Sequence, residues 1–486
     1  MNFNQTLQTK FPHLEVSCLK LSEVQKDNEI FRIDSEPFKK SNLNTNTKLT
    51  YIKLSQIANI NPSKLEISNL DKNIQVTFLS MQNLGNGVIN DKESGTIKDF
   101  ESGYTYFSEN DILIAKITPC MEHGKCAIAF GLNNKIGFGS TEINVFRIHD
   151  SRFLKEFVFC YLNREIIRKI AADNMVGTSG RQRVPTSFYQ KLLIPLLPMD
   201  FQLEIQKLVK DSHFALEQSK GLYKEAQNML YIELGLNPDN PLQSILDFHP
   251  TPKEQDSKLT QKSLKQNLNI SIRTLKESLG TSGRLDSEYY QSKYDKIESY
   301  IKNYKEGFNK LELIEIKDSN FTPKAKEKYR YIELANIGAN GSISAPLEEF
   351  GKDLPTRARR IVKEGDLIVS SIEGSLSSCA LITQEFDDCI VSTGFYILKS
   401  LHINSETLLA LFKSQVFQEY LKKFPSGTIL TAISKDELQN ILIPKIDFKT
   451  QEEIATLIQE SFALRAKAKV LLDEAKARVE NAIKGV

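Results

Sequence analysis

Several features that define membrane and secreted proteins are missing from this sequence. It has no run of about 18 apolar residues, so no membrane span is predicted. The N-terminal stretch MNFNQTLQTKF has neither the basic nor the apolar segment of a secretory signal. The six cysteines form no Cys-x-x-Cys pair, which is typical of unbridged thiols in a reducing compartment. We therefore expect a cytoplasmic protein.

The sequence also lacks the signatures of enzymes that act on nucleotides or bases. It has no Gly-x-x-x-x-Gly-Lys-Ser/Thr phosphate loop, which argues against nucleotide hydrolysis. The aromatic-flanked Asn/Asp-Pro-Pro motif with which amino-methyltransferases hold a target base is absent too. With 63 basic and 61 acidic residues the formal charge is only +2, so any phosphate-binding surface must come from local clustering.

Two short patterns suggest chemistry but do not complete a site. Cys120, His123 and Cys126 have the spacing of metal ligands, yet no fourth ligand lies nearby, whereas structural zinc needs a closed tetrahedral set. The triplet from Glu315 to Lys317 resembles part of a nuclease site, but such triplets are frequent in a chain with 26% charged residues. We therefore predict no metal site and no catalytic residue.

What the sequence does contain is an internal repeat. Arg-Ile-Asp-Ser-Glu at 32–36 returns as Arg-Leu-Asp-Ser-Glu at 284–288, an offset of 252 residues. Five further matches follow in the same order, at offsets between 249 and 255: 77–87 with 330–341, 109–115 with 364–370, 139–143 with 391–395, 177–178 with 427–428, and 192–209 with 441–458. The chain is therefore predicted to contain two copies of one unit.

Each copy has the pattern of a mixed α/β globular domain that is followed by a long helix. Short apolar runs alternate with Gly, Asn and Ser clusters, which predicts strands joined by turns. Residues 153–172 and 405–424 have helical apolar spacing, and Ser405 is a candidate N-cap. A polar, proline-containing stretch at 237–267 predicts a linker between the copies. At 486 residues with 40% hydrophobic content, the chain is long enough for at least two domains.

The two long helices carry a heptad pattern in which small residues recur at every seventh position. The predicted seam comprises Ile205, Ser212, Ser219, Ala226, Ile454, Ser461, Ala468 and Ala475. Small side chains allow two helices to approach closely, so we predict that the helices pair with each other, antiparallel, as a coiled coil. Arg465 interrupts the second seam with a charge. The alternative is that each helix packs on its own domain.

Each copy also has one basic cluster. Residues 163–191 contain six basic and two acidic side chains, and residues 352–363 contain five basic and one acidic. Within the first cluster, the stretch Gly-Thr-Ser-Gly-Arg-Gln-Arg offers amides and hydroxyls to phosphate oxygens, and Arg and Gln side chains that can bind base edges. The alternative is that each cluster is only a solvated surface.

With these residues in view, the chain resembles the specificity subunit of Type I restriction-modification systems. The resemblance covers nearly the whole length. Its most specific segments are the two Arg-Ile/Leu-Asp-Ser-Glu stretches, 137–147, 177–198, and the helices after Pro198 and Ile446. It implies two target recognition domains, related by the internal duplication as a pseudo-two-fold pair, and a spacer of two antiparallel coiled-coil helices. The boundaries we expect are 1–198 for the first recognition domain, 199–236 for the first spacer helix, 237–282 for the linker, 283–446 for the second recognition domain and 447–486 for the second spacer helix.

The resemblance further implies a non-catalytic, DNA-binding subunit that reads a bipartite, asymmetric target in double-stranded DNA. Two methylation subunits would dock on it, and restriction subunits would join in the full complex. S-adenosylmethionine, ATP and magnesium are expected on those partners, with no cofactor in this chain. The predicted DNA contacts are Thr178, Ser179, Arg181, Gln182 and Arg183 in the first domain, and Arg357, Arg359, Arg360 and Thr428 in the second.

Other functions remain open from the sequence. A close alternative is the specificity subunit of a Type IIB-like system, in which one partner chain fuses methylation and cleavage. A self-sufficient DNA methyltransferase or nuclease would require cofactor binding by the isolated chain. A helical adaptor that binds only protein would show no salt-dependent affinity for a defined duplex.

Overall fold

The structure is a computed structural model, and it divides into two compact units. It describes residues 3–13, 19–25, 49–178, 180–248, 272–276, 278, 283–311, 314–317, 319–338, 340–344, 346–400, 402–427 and 431–485. Unit 1 comprises residues 1–216 and 466–486, and unit 2 comprises residues 217–465. The division falls within both long helices, so each unit contains a segment of each helix.

The described residues of unit 1 form ten strands and the helices that come first in the sequence. The strands are β1 (Tyr51–Lys53), β2 (Ala58–Ile60), β3 (Gln75–Leu79), β4 (Glu93–Thr96), β5 (Thr105–Ser108), β6 (Ile112–Ala115), β7 (Cys126–Ile128), β8 (Ile136–Gly139), β9 (Ile143–Ile148) and β10 (Leu193–Pro195). The helices are α1 (Phe3–Lys10), α2 (Leu21–Gln25), α3 (Leu54–Ile57), α4 (Ile97–Phe100), α5 (Lys155–Leu162), α6 (Glu165–Asp173) and α7 (Thr186–Lys191), and the long helix α8 (Met199–Glu233) begins here.

Unit 2 repeats this content. Its helices are α9 (Pro241–Leu246), α10 (Ser292–Lys302), α11 (Ser405–Lys413), α12 (Gln415–Leu421) and α13 (Lys435–Asn440), and the long helix α14 (Phe448–Lys484) begins here. Its strands are β11 (Phe308–Lys310), β12 (Glu315–Lys317), β13 (Lys328–Ile332), β14 (Leu347–Phe350), β15 (Ala358–Ile361), β16 (Leu367–Ser370), β17 (Cys379–Leu381), β18 (Ile390–Ser392), β19 (Phe395–Lys399) and β20 (Leu442–Pro444).

The duplication predicted from the sequence is present in the sheet topology. Unit 1 has four-stranded sheets of order β2-β9-β6-β7 and β4-β3-β8-β5 and the pair β1-β10. Unit 2 has β12-β19-β16-β17, β14-β13-β18-β15 and the pair β11-β20, so every strand has its counterpart ten strands later. Parallel neighbours also correspond, since β3 is parallel to β8 and β13 is parallel to β18. The mixed α/β fold class with two sheet-rich domains and long helices is confirmed.

Equivalent buried polar residues explain part of the repeat. Gln202 near the start of α8 accepts a hydrogen bond from the Leu154 amide at 2.8 Å, and Gln451 near the start of α14 accepts one from the Asn404 amide at 2.8 Å. Both glutamines are buried. Each amide side chain thus fixes the first turn of a long helix to the domain before it, which satisfies backbone groups that would otherwise be buried without partners.

Each predicted central helix is divided in two. The helical spacing of 153–172 predicts one helix, but α5 ends at Leu162 and α6 begins at Glu165. In unit 2 the break falls at Ser414, whose hydroxyl accepts a hydrogen bond from the Phe417 amide and caps α12. The N-cap of α11 is Asn404 rather than the predicted Ser405, since the Asn404 side chain accepts from the Thr407 amide. The first helix of each pair is buried along most of its length, whereas the second is only partly buried.

The C-terminal part of α14 is integral to the main core of unit 1. Leu472, Ala475, Val479 and Ile483 are buried in the same cluster as the apolar side chains of β6, α5 and the start of α8. Ion pairs join the same parts: Arg164 with Glu480, and residues 478 and 204 at 3.3 Å. The first domain is therefore completed by residues that lie near the end of the sequence.

The seam residues within unit 1 are buried and hydrogen-bonded. Ile205, Ser212, Ala468 and Ala475 are each at most 4% exposed. The Ser212 hydroxyl donates to the Ala468 carbonyl oxygen at 2.6 Å, and Arg478 contacts Glu204. A residue later in α8 therefore contacts a residue earlier in α14. The two helix segments in unit 1 therefore run antiparallel.

The seam residues within unit 2 form a polar layer flanked by apolar contacts. Ser219 and Ser461 are fully buried, with hydroxyl oxygens 3.0 Å apart, and the Ser461 hydroxyl also lies 2.7 Å from the Ser219 carbonyl oxygen, to which it donates. Ala226 and Ile454 are fully buried in the core of this unit. Small side chains at these positions allow the two backbones to approach closely.

The segment between the copies is only partly described. Residues 237–240 precede α9, and Pro241 and Ile245 of that helix are buried in unit 2, because this short stretch carries apolar residues that the polar composition of the whole segment conceals. The repeated segment at 32–36 lies outside the described residues, whereas Arg284 and its neighbours are described. Among the helices that the structure describes, none has the length and apolar character required to cross a membrane.

Candidate nucleic-acid interface

The first basic cluster contains a hairpin that is held against the end of a central strand. Val176 and Arg183 exchange backbone hydrogen bonds of 2.9 Å, and residues 116–118, which follow β6, pair with residues 182–184. Gly177 has φ +123° and a Cβ there would stand 3.0 Å from the Arg181 carbonyl oxygen, so only glycine suits this turn. Residues 177–182 thus form the tip of a hairpin whose base is fixed.

The hairpin tip carries two of the predicted contact residues at its surface. Thr178 and Arg181 are exposed, and Gln182 is half-buried with its carbonyl oxygen bonded to the Thr118 amide at 3.0 Å. Ser179 lies outside the described residues. An exposed guanidinium beside a hydroxyl at a glycine-rich turn can bind a phosphate oxygen or a guanine edge.

Arg183, the last predicted residue of this group, is engaged by the protein. Its Nε and Nη2 donate to both carboxylate oxygens of Glu142 at 2.8 Å, and its Nη1 donates to the Arg181 carbonyl oxygen. The hydrogen bonds from Arg183 lower the pKa of Glu142, and Lys116 lowers it further. The pair joins the hairpin to the turn that precedes β9, so its main effect in this structure is to orient the hairpin.

Two other basic side chains of the first cluster are also bound by residues of the protein. Arg164 is 9% exposed and pairs with Glu480, and Arg168 donates to the backbone and side-chain oxygens of Asn163. Lys169 is exposed on α6. The net charge of the segment therefore overstates the number of cations that a ligand can reach.

Unit 2 has an equivalent hairpin with different side chains. Ser426 and Ala432 exchange backbone hydrogen bonds of 3.0 and 3.1 Å, and Ala432 also pairs with Ile372, just after β16. Predicted contact Thr428 lies outside the described residues. On the far side of the hairpin, the Thr431 hydroxyl donates to Glu373. The same backbone pairing thus lies at the end of corresponding strands, β6 in unit 1 and β16 in unit 2.

The two units hold their hairpins through different pairs. The sequence repeat places Gly394 opposite Glu142, and the bridge pairing places Ala432 opposite Arg183, so both members of the ion pair are replaced in the second copy. There the Gly394 carbonyl oxygen accepts from the Ser371 amide and hydroxyl at 2.9 Å.

The three predicted arginines of unit 2 are placed differently. Arg357 is exposed, and its carbonyl oxygen accepts from the Thr393 amide, next to the turn that supports the hairpin. Arg359 is half-buried and donates from Nε to the Thr356 carbonyl oxygen at 2.9 Å. Arg360 is 9% exposed and donates to the Phe395 carbonyl oxygen. Arg357 is therefore the best placed of the three for an external ligand, and Arg360 the least.

Unit 2 has a second basic segment that was not predicted from the sequence. Residues 321–328 pack beside the 351–359 stretch, with the Phe321 amide bonded to the Arg359 carbonyl oxygen and the Gly351 amide to the Glu327 carbonyl oxygen. This segment carries Lys324, Lys326 and Lys328, all exposed. The signal in the sequence was the presence of three lysines within 324–328, where Glu327 is the single acidic residue and pairs with Lys324 at 2.8 Å.

The residues of the zinc-like and nuclease-like patterns have other environments in the structure. Burial raises the pKa of the Cys126 thiol to about 11, so this thiol is neutral and poorly suited to ligate a metal. Within the described part of the chain, no group of three His, Cys, Asp or Glu side chains could hold a metal ion. Lys317 of the nuclease-like triplet pairs with buried Asp366 at 2.9 Å, which links β12 to the turn before β16.

Comparisons with known proteins agree with the sequence resemblance. No family model matches the chain. The specificity subunit of the Type I restriction enzyme EcoEI from Escherichia coli is 31% identical over 193 residues, 39% of this chain and 32% of that protein. The EcoAI specificity subunit from Escherichia coli is 35% identical over 152 residues, 31% of this chain and 26% of that protein. The chain thus matches about a third or less of the length of these relatives.

Solved structures of the same kind align over most of the chain. An HsdS subunit from Thermoanaerobacter tengcongensis aligns over 91% of this chain and 98% of its own, with a TM-score of 0.30 and 15% identity. The S subunit of a Type I restriction-modification system from M. genitalium aligns over 89% and 97%, with a TM-score of 0.37 and 14% identity. The curated sequence matches confirm the predicted resemblance: over about a third of its length, this chain is similar to the specificity subunits of Type I restriction enzymes.

Proposed function

We propose that this chain is the sequence-recognition subunit of a restriction-modification system, in which each unit reads one half of a bipartite, asymmetric DNA target. The observation that carries the proposal is the hairpin at 176–183 and its counterpart at 426–432. Both hairpins are fixed by the same backbone pairing at the ends of corresponding strands, β6 and β16, yet the two sequences carry different side chains. A common scaffold with different side chains suits two different half-sites.

The charges beside the hairpins support contact with DNA. In unit 1 an exposed Arg181 lies at the hairpin tip. In unit 2 the exposed Arg357 lies beside the supporting turn, and Lys324 and Lys326 are exposed on the neighbouring segment, where Lys324 also pairs with Glu327. Lysine and arginine contacts to phosphates supply most non-specific affinity, and arginine at a base edge supplies discrimination. We assign base reading to the hairpin tips and phosphate contact to the surrounding lysines.

The proposal assigns the chemistry to partner chains. Two methylation subunits would bind this chain and carry S-adenosylmethionine, and restriction subunits would carry ATP and magnesium. This chain would supply recognition and assembly without catalysis. The curated relatives are named as specificity subunits of Type I restriction enzymes, which supports this division of labour.

The test is an adenine-methylation map of the source genome by single-molecule sequencing, with the gene intact and with it deleted. We expect methylation to disappear at one gapped, asymmetric motif and nowhere else. Complementation with the intact gene is the control and restores that motif. Unchanged methylation at every motif, with the partner subunits shown to be expressed, would contradict the proposal and favour a protein-binding adaptor.

A further inference from the structure

The repeated Arg-Leu-Asp-Ser-Glu segment of unit 2 contacts the residues that connect α12 to the hairpin at 426–432. Arg284 donates from Nη1 to the carbonyl oxygens of Phe424 at 3.0 Å and Lys423 at 3.3 Å. These carbonyls follow the last residue of α12 and precede Ser426, where the hairpin pairing begins. These two carbonyls lie just beyond the helix, so the guanidinium satisfies them and fixes the direction in which the chain leaves α12.

The remaining donors of Arg284 are held by Asp286. Nε and Nη2 donate to the two carboxylate oxygens at 2.7 and 2.8 Å, and Asp286 also accepts from the Tyr289 amide at 3.1 Å. The side chain of Arg284 is 14% exposed. A guanidinium with five donors in a rigid fork can grip a carboxylate and two carbonyls together, which the single ammonium of a lysine cannot do.

The aromatic part of the segment completes the contact. The Tyr289 ring centroid lies 4.7 Å from the guanidinium carbon of Arg284 and 4.7 Å from Nζ of Lys423. Lys423 is buried and pairs with Glu298 of α10, and the Tyr290 hydroxyl donates to the Arg284 carbonyl oxygen at 2.8 Å. The hydrogen bonds of Arg284 among the described residues thus connect this segment to the residues that follow α12.

We infer that Arg284, held by Asp286, is a positioning residue that sets the entry of the 426–432 hairpin and thereby the half-site specificity of unit 2. The inference rests on the proposed function. In the sequence repeat, Arg32 and Asp34 are the counterparts of Arg284 and Asp286, and they lie outside the described residues. On this basis the same substitution in the two copies should affect opposite halves of the target.

The experiment uses the full chain, co-expressed with its methylation subunits, and measures methylation rates on duplexes in which one half-site at a time is altered. For Arg284→Lys we expect assembly to persist, with at least a tenfold loss of discrimination at one half-site and less than a twofold change at the other. Arg32→Lys should give the opposite pattern: at least a tenfold loss of discrimination at the half-site that Arg284→Lys leaves almost unchanged, and less than a twofold change at the other. Lys449→Met, at an exposed position on α14, is the matched control and should change neither.

A charge exchange separates positioning from simple ion-pair stability. The double variant Arg284→Asp, Asp286→Arg retains an opposite-charge pair but moves the guanidinium away from the Lys423 and Phe424 carbonyls. We expect it to discriminate no better than Arg284→Lys. Recovery to within twofold of the wild type would overturn the inference, as would unchanged discrimination in Arg284→Lys. If the wild-type complex itself prefers no bipartite duplex, the proposed function fails instead.

Discussion

Arg465 is the charged residue that interrupts the helix seam, and its replacement should stabilise unit 2. It is half-buried on α14, its Nε is covered and has no hydrogen-bond partner among the described residues, and its Nη2 reaches only the Ser219 hydroxyl at 3.5 Å. Burial lowers the pKa of Arg465 to about 10, while Tyr223 opposes that change. A weakly partnered charge in this place costs folding free energy.

The magnitude follows from the displaced pKa. A change from 12.5 to about 10 corresponds to about 3 kcal/mol at roughly 1.4 kcal/mol per unit, and partial exposure to solvent reduces it. We therefore expect Arg465→Met to stabilise unit 2 by about 1–3 kcal/mol at neutral pH. Because the folded pKa is depressed, the unfolded state binds more protons between these two values. The wild type should regain stability as pH rises through about 10, and the variant should not.

Hydrogen exchange at the backbone amides of residues 219–230 measures this effect within unit 2, without assuming that the whole chain unfolds in one step. The expected result is slower exchange by one to two orders of magnitude in Arg465→Met. Arg478→Met, half-exposed on the same helix, is the control and should alter exchange little. Unchanged or faster exchange in Arg465→Met would show that the buried guanidinium makes a net favourable contribution, and the reasoning would fail.

Two further predictions concern unit 1. Leu472→Ala should destabilise it by about 2–4 kcal/mol, because this 5% exposed side chain fills the core beside Gly87; hydrogen exchange should accelerate across β6 and α5 but not in unit 2. Glu142→Gln should speed exchange of the hairpin amides at neutral pH by weakening the hold on Arg183. Since the pKa of Glu142 is lowered, the difference between wild type and variant should persist above about 4.5 and vanish as pH falls through the lowered value; a constant difference would contradict this.

The duplication and the fold class could be predicted because they depend on patterns that the sequence repeats. Buried Asp111 and Asp366 follow the same Glu-x-Asp spacing, and each accepts a backbone amide that closes the turn before a central strand. Gln202 and Gln451 likewise perform one task at two corresponding positions. The burial of the seam residues follows from their spacing, since a heptad places them on one face of the helix.

The state of individual cations could not be predicted, because it depends on partners that are distant in sequence. Arg183 meets Glu142, and Arg164 meets Glu480 more than 300 residues away. Arg360 alternates with Arg359 along β15, so one faces the protein interior while the other is half-exposed. The number of basic residues in each cluster could be read from the sequence, but only tertiary contacts decide which of these side chains remain accessible to a ligand.

The account depends most directly on the claim that the two units read different halves of one target. The decisive measurement is the methylation map of cells that carry Arg181→Ala or Arg357→Ala in place of the natural gene. We predict that Arg181→Ala relaxes or abolishes recognition at one half of the gapped motif, and that Arg357→Ala affects only the other half. Identical changes in both variants, or changes spread over both halves in each, would contradict the account.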